Sequence, residues 1–200
     1  MIEAALIEKC ADPTLKPAIV QRFIAEAGSP DALAVTVRSG DRVVLVPKPN
    51  TTDEAMALMH QYVGKAIVRV GITQYPAGIG ISNLSELKPD LVDACENIRM
   101  GTALFGKVYR IVTERYGNAV DEAFDDAVHA WRTGYFEGKA IFTEPDPGKG
   151  AVAIPDEDQP EGKVEAATVA TDSNMNAGDA GDPNSSGIRI DLSGIGVRSP

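Results

Sequence analysis

Two hundred residues leave room for one domain with a tail or for two small domains, and an apolar fraction of 44% is enough to build a core. The net charge of −10 argues against a nucleic-acid binder, which needs a basic surface to displace counterions. No apolar run approaches the roughly 18–20 residues of a membrane span, and the N-terminal stretch, with no basic region and only a short apolar run, does not read as a signal peptide.

The chain opens with one or two short helices. Leu6, Ile7 and Cys10 fall at helical spacing, Asp12-Pro13 breaks the run, and a helix follows from near Leu15 to Ala27. Its apolar face is Leu15, Ile19, Val20, Phe23 and Ile24, and Pro17 in the first turn loses no intrahelical bond. Gly28-Ser29-Pro30-Asp31 is a turn by composition. Residues 33–47 give the strongest β signal: two β-branched runs flank Ser39-Gly40-Asp41, which predicts a hairpin. Thr51 or Thr52 then caps a helix that Gly64 terminates, with Glu54 near its positive end.

Residues 66–74, AIVRVGITQ, read by periodicity as a strand with Gly71 in its middle. A loop rich in Gly, Pro, Ser and Asn and a short helical turn near Ser85–Leu87 lead to the longest periodic stretch, Asp93 to Gly138. There Ile98, Leu104, Phe105, Val108, Tyr109, Ile111 and Val112 mark one buried helix face, ended by Gly117-Asn118. Ala123, Phe124, Ala127, Val128 and Trp131 mark a second helix that stops near Gly134. The heart of the protein is therefore a helical hairpin.

From Pro145 to Pro200 there is no aromatic residue, and ten acidic against four basic residues leave a charge of −6. Such a segment buries too little apolar area to offset its ordering entropy. The expected organisation is a folded domain over 1–144 and a disordered acidic tail over 145–200, either passive or with an interaction motif at 187–197.

Chemistry is sparse. No metal motif, phosphate loop or dinucleotide fingerprint is present; Gly78-Ile79-Gly80 lacks both a third glycine and a strand–helix frame. No metal and no cofactor is expected. His60 and His129 lie on amphipathic helices and read as structural or exposed. By composition Cys10 and Cys95 read as unrelated buried thiols.

One ordered set of pieces goes further: Cys10, Glu26 at the end of a helix, the Leu33–Val37 run, Gly71-Ile72-Thr73-Gln74, Asp93-Ala94-Cys95-Glu96-Asn97-Ile98, and Ala130-Trp131-Arg132-Thr133-Gly134. In this order the chain resembles the soluble lytic transglycosylases, most of all the small ones that accompany type IV secretion systems. At closer range it resembles the TraH-type conjugal transfer proteins of self-transmissible plasmids. The resemblance spans about residues 5–140.

It implies an α+β, mainly helical fold: a lysozyme-like domain with a small β-hairpin. It implies a peptidoglycan-cleaving lytic transglycosylase that opens the cell wall for a conjugation apparatus, with glycan strands as substrate and secretion-system proteins as partners, the tail being a docking segment. Glu26 would be the sole acid/base, protonating the glycosidic oxygen and then taking a proton back. Such an acid has to hold its proton at first; a helix C-terminus and the neighbouring Phe23, Ile24 and Ala25 suit Glu26 to that. Gln74, Asn97, Trp131 and Tyr135 would line the sugar groove. Cys10 and Cys95 would form a disulfide, implying a periplasmic location although no leader is visible.

The sequence departs from the pattern at three places. Ala27 follows the glutamate where Ser or Thr is usual, and Trp131-Arg132 replaces Tyr-Asn. The turn to Pro30 is one residue short, so an ungapped count back from the proline puts Ala25 at the catalytic place. The rival reading is a catalytically degenerate lysozyme-like scaffold that binds glycan or assembly partners, with Glu26 a solvated helix-end carboxylate and Trp131 a core anchor.

Overall fold

The computed structural model describes residues 4–40 and 42–148; the predicted tail beyond Gly148, with its 187–197 motif, lies outside the described residues. The described residues form five helices: α1 (Ala4–Cys10), α2 (Pro17–Ala27), α3 (Thr52–Tyr62), α4 (Ala94–Tyr116) and α5 (Asp121–Thr133). Strands β1 (Val35–Ser39), β2 (Arg42–Val44), β3 (Ile67–Val70) and β4 (Tyr75–Pro76) form one antiparallel sheet in the order β2-β1-β3-β4. Two short 3₁₀ turns, Leu84–Glu86 and Pro89–Val92, precede α4, and a small hairpin of β5 (Tyr135–Phe136) and β6 (Lys139–Ala140) follows α5. The class is α+β, mainly helical, as expected, but the β part is a four-stranded sheet rather than a lone hairpin.

The helix ends follow local chemistry. Asp93 Oδ1 accepts from the Glu96 N–H at 2.9 Å at the start of α4, and Gly117 closes that helix at φ +79°. Thr51 Oγ1 does the same for α3, accepting from Glu54 N–H at 3.2 Å. The helix expected from Leu15 begins at Pro17; Leu15 is buried in the loop ahead of it. The run 66–74 is not one strand. It ends at Val70, and residues 71–74 turn away. The hairpin at 135–140 was not foreseen; its two turn residues, Glu137 (φ +48°) and Gly138 (φ +78°), both take the left-handed backbone that tight hairpins need.

Two cores result. The first joins α1, α2, α4 and α5. At its centre Phe23 stacks on Phe105 with centroids 3.9 Å apart, and Trp131 meets Phe23 edge-on at 5.2 Å. A disulfide between Cys10 and Cys95, with Cα atoms 5.1 Å apart, ties the end of α1 to the first turn of α4. The second core lies between α3, the 3₁₀ turns and one face of the sheet. Val37 faces Val44 on one side and Val68 on the other, so these valines share the face that Ala55 and Met59 cover. The alternate residues, Thr36, Arg38, Ile67 and Arg69, stand on the opposite face.

Candidate functional site

The turn at Gly71–Gln74 is where the two cores meet, and the motif residues converge on it. Thr73 is fully buried. Its N–H and its Oγ1–H both donate to Asn97 Oδ1, each at 2.9 Å. Asn97 Nδ2 donates to the Val70 carbonyl at 3.1 Å and the Leu91 carbonyl at 2.7 Å. Trp131 Nε1 donates to the Thr73 carbonyl at 3.1 Å. α4 comes close because residue 101 is glycine: a Cβ there would lie 2.1 Å from Thr73 Oγ1. Strand β3, α4 and α5 are thus pinned to one threonine.

Two predicted sugar contacts belong to this node. Asn97 and Trp131 are both fully buried. Both amide donors of Asn97 and its oxygen are satisfied by the protein itself, and the Trp131 indole is held edge-to-face against Phe23, Phe105 and Phe142. Neither offers a free surface to a ligand, so here they act as core anchors. Gln74 adopts φ +51°, and its side-chain amide turns back to donate to the Gly71 carbonyl at 3.0 Å.

Glu26 lies in the last turn of α2 with its side chain 38% exposed. Its carboxylate accepts from Arg22 Nε at 2.9 Å. Arg22 also reaches Asp121 and Asp125 of α5, each at 2.8 Å, and covers the Phe124 ring at 4.1 Å. The bond to Glu26 is the main cause that raises the Arg22 guanidinium above its ordinary range. The Glu26 carbonyl accepts from the Arg132 side chain. Ala25, at the place the ungapped count indicates, is exposed and carries no acid. The carboxylate is therefore one corner of a charge network between α2 and α5 and does not meet the side chain of Gln74.

Among these predicted residues only Tyr135, 59% exposed, lines a groove of about 680 Å³ over the outer sheet face. Its inner end holds Arg69, a residue the sequence reading passed over. Arg69 is 7% exposed. It donates through Nη1 to the Gln74 carbonyl and through Nη2 to the Arg132 carbonyl, both at 3.2 Å. Its guanidinium is 5.6 Å from the Trp131 ring and 5.6 Å from that of Phe142. Burial, helped by the charge of Arg38, pushes it down to about 10. Among the described residues no cluster of His, Cys, Asp or Glu suits a metal ion, and no helix is long and apolar enough to cross a membrane.

Comparison with known proteins places the chain. The TraH_2 family model matches residues 1–197. An uncharacterized protein of Sinorhizobium fredii (strain NBRC 101917 / NGR234), y4dP, is 51% identical over 205 residues, covering 98% of this chain and 99% of its own. No solved structure matches. The chain belongs to the TraH_2 family, a family of TraH-type conjugal transfer proteins.

Proposed function

We propose that this protein is a lysozyme-like domain of a conjugation apparatus that works by binding, not by bond cleavage. It holds peptidoglycan glycan or secretion-system partners in the periplasm and has no lytic transglycosylase activity of its own. The observation that carries this reading is the Glu26 carboxylate. A general acid for glycoside cleavage keeps its proton in an apolar, water-poor pocket beside the scissile bond. Glu26 instead accepts from Arg22 at 2.9 Å on a partly exposed helix surface, with Asp121 and Asp125 on the same guanidinium. The buried state of Asn97 and Trp131 supports the same view, since the motifs that carry the resemblance are used to hold the fold.

The test is turnover of purified peptidoglycan by the wild type and by Glu26→Gln, read as anhydro-sugar products by mass spectrometry, with cosedimentation of protein and wall measured in parallel. The expected result is no product from either protein, with cosedimentation equal for both. Product from the wild type that falls a hundredfold or more in Glu26→Gln, about the contribution of a general acid, would replace this reading with the lytic transglycosylase that opens the wall.

A further inference from the structure

The groove over the outer sheet face is cationic in a chain that is acidic as a whole. Acidic residues outnumber basic ones, 29 to 19. Yet the groove is lined by three cations, Arg38, Lys65 and Arg69, and by no described aspartate or glutamate. Four arginines elsewhere are matched by carboxylates: Arg22 with Glu26, Asp121 and Asp125, Arg99 with Glu96, Arg110 with Asp146, Arg115 with Glu137. No carboxylate of the described residues pairs with Arg38 or Arg69.

Arg69 is the costly one. A buried guanidinium without an anion is unfavourable, and at 7% exposure Arg69 keeps little water. The carbonyls of Gln74 and Arg132 and the faces of Trp131 and Phe142 fix the direction of its fork without neutralising its charge. Arg38 adds a second sign. Its Nε is buried and has no hydrogen-bond partner among the described residues, although an unmet buried donor is normally eliminated. The strand register explains why the two arginines cooperate. Arg38 on β1 lies opposite Ile67 on β3, two residues before Arg69. They are diagonal neighbours on one sheet face, at the roughly 7–8 Å such pairs keep. A single oxyanion between them would meet two planar donor forks. Tyr135, Phe142 and Ile79 among its lining residues give the groove an apolar, partly aromatic surface.

We propose that this groove is a binding site for an oxyanion, a carboxylate or a phosphate carried on a ligand with an apolar or planar body, received between Arg38 and Arg69. The site is separate from Glu26 and stands or falls independently of the turnover assay.

The experiment follows the arginine Nε–Hε NMR signals of the full chain at low salt, titrated with inorganic phosphate and, separately, with benzoate. The expected result is a saturable shift of the Arg38 and Arg69 signals by at least one probe, weakened by added sodium chloride. Arg38→Gln, which removes no ion pair of the described fold, should lower the affinity at least tenfold. Arg69→Lys, which keeps the charge and loses the fork, should lower it as well, with the melting temperature recorded for both variants so that unfolding is recognised. Phosphate acting alone points to a phosphorylated ligand, and benzoate acting alone to a carboxylate. If neither probe shifts these two signals saturably up to about 50 mM, a ceiling that admits even very weak anion binding, or if Arg38→Gln binds as tightly as the wild type, the proposal is wrong.

Discussion

Gly71 and Asn97 compete for the same space: a Cβ on residue 71 would lie 2.2 Å from Nδ2 of Asn97. Residue 71 also sits at φ +71°, where an L side chain is strained. Gly71→Ala therefore carries two penalties, about 1–2 kcal/mol for the backbone and about 1–3 kcal/mol for displacing a packed group. Urea unfolding should show a loss of about 2–5 kcal/mol, the sum of the two. A loss below about 0.5 kcal/mol, the range of an inert surface change, would mean that the turn is not held in this way.

Asn97→Ala tests the node from the other side. It leaves the Thr73 N–H and the Val70 and Leu91 carbonyls without their partner in a buried place. Each such group costs about 1–3 kcal/mol, partly shared once water enters, so a loss of about 3–5 kcal/mol is expected. Trp131→Phe keeps most of the ring packing, forfeits one hydrogen bond, and should cost less, about 1–3 kcal/mol. Had Asn97 served a sugar, its removal would weaken glycan binding and leave the unfolding midpoint where it was; that pair of measurements separates the roles.

What could be read in the chain divides along the range of the interactions. The α4–α5 hairpin, the caps at Thr51 and Gly117 and the β1–β2 hairpin depend on near neighbours, and periodicity and turn chemistry exposed them. The end of β3 at Val70 did not show, because the reason is Asn97, which bonds Thr73 from 24 residues further on. The same distance effect hid how the motif residues are arranged. Gly71–Gln74, Asn97 and Trp131 stood out as motifs, but a motif is kept for packing as readily as for catalysis, and only the fold shows that these meet each other. Two signals were present and went unused. Arg22 and Glu26 are four apart on a helix, the spacing of an ion pair. Arg69 interrupts an apolar strand, where a charge needs a reason; that reason involves Trp131, Phe142 and Arg38, which only the folded chain brings together.

The disulfide supplies a further test. Closing a chain segment of 85 residues removes about 4.5 kcal/mol of unfolded-state entropy on the loop-closure account, within a usual range of about 2–5 kcal/mol. Addition of a reductant should lower the melting temperature of the wild type markedly. The double variant Cys10→Ala/Cys95→Ala should melt low and be indifferent to reductant. A wild type whose melting does not respond to reductant would show that the two sulfurs are not joined in solution.

The last prediction concerns acid. Asp146 accepts from Arg110 Nε at 2.9 Å, holding the first residues after 144 onto α4. Chiefly through this bond, and through the Gly148 N–H, its carboxyl is held down at about 2, against an ordinary 3.8. A carboxyl depressed in the folded state stabilises the fold at every pH above its unfolded value, and that contribution is lost as pH falls from about 3.8 to about 2. The side chain is 40% exposed, so solvent screening keeps the effect under about 1 kcal/mol. Asp146→Asn should thus be slightly less stable than the wild type at pH 5–7, and the two unfolding curves should converge as the pH approaches 2. High salt should narrow the gap at neutral pH. A difference that persists unchanged at pH 2 would assign the effect of the substitution to lost packing or backbone hydrogen bonding, and not to the Arg110–Asp146 charge pair.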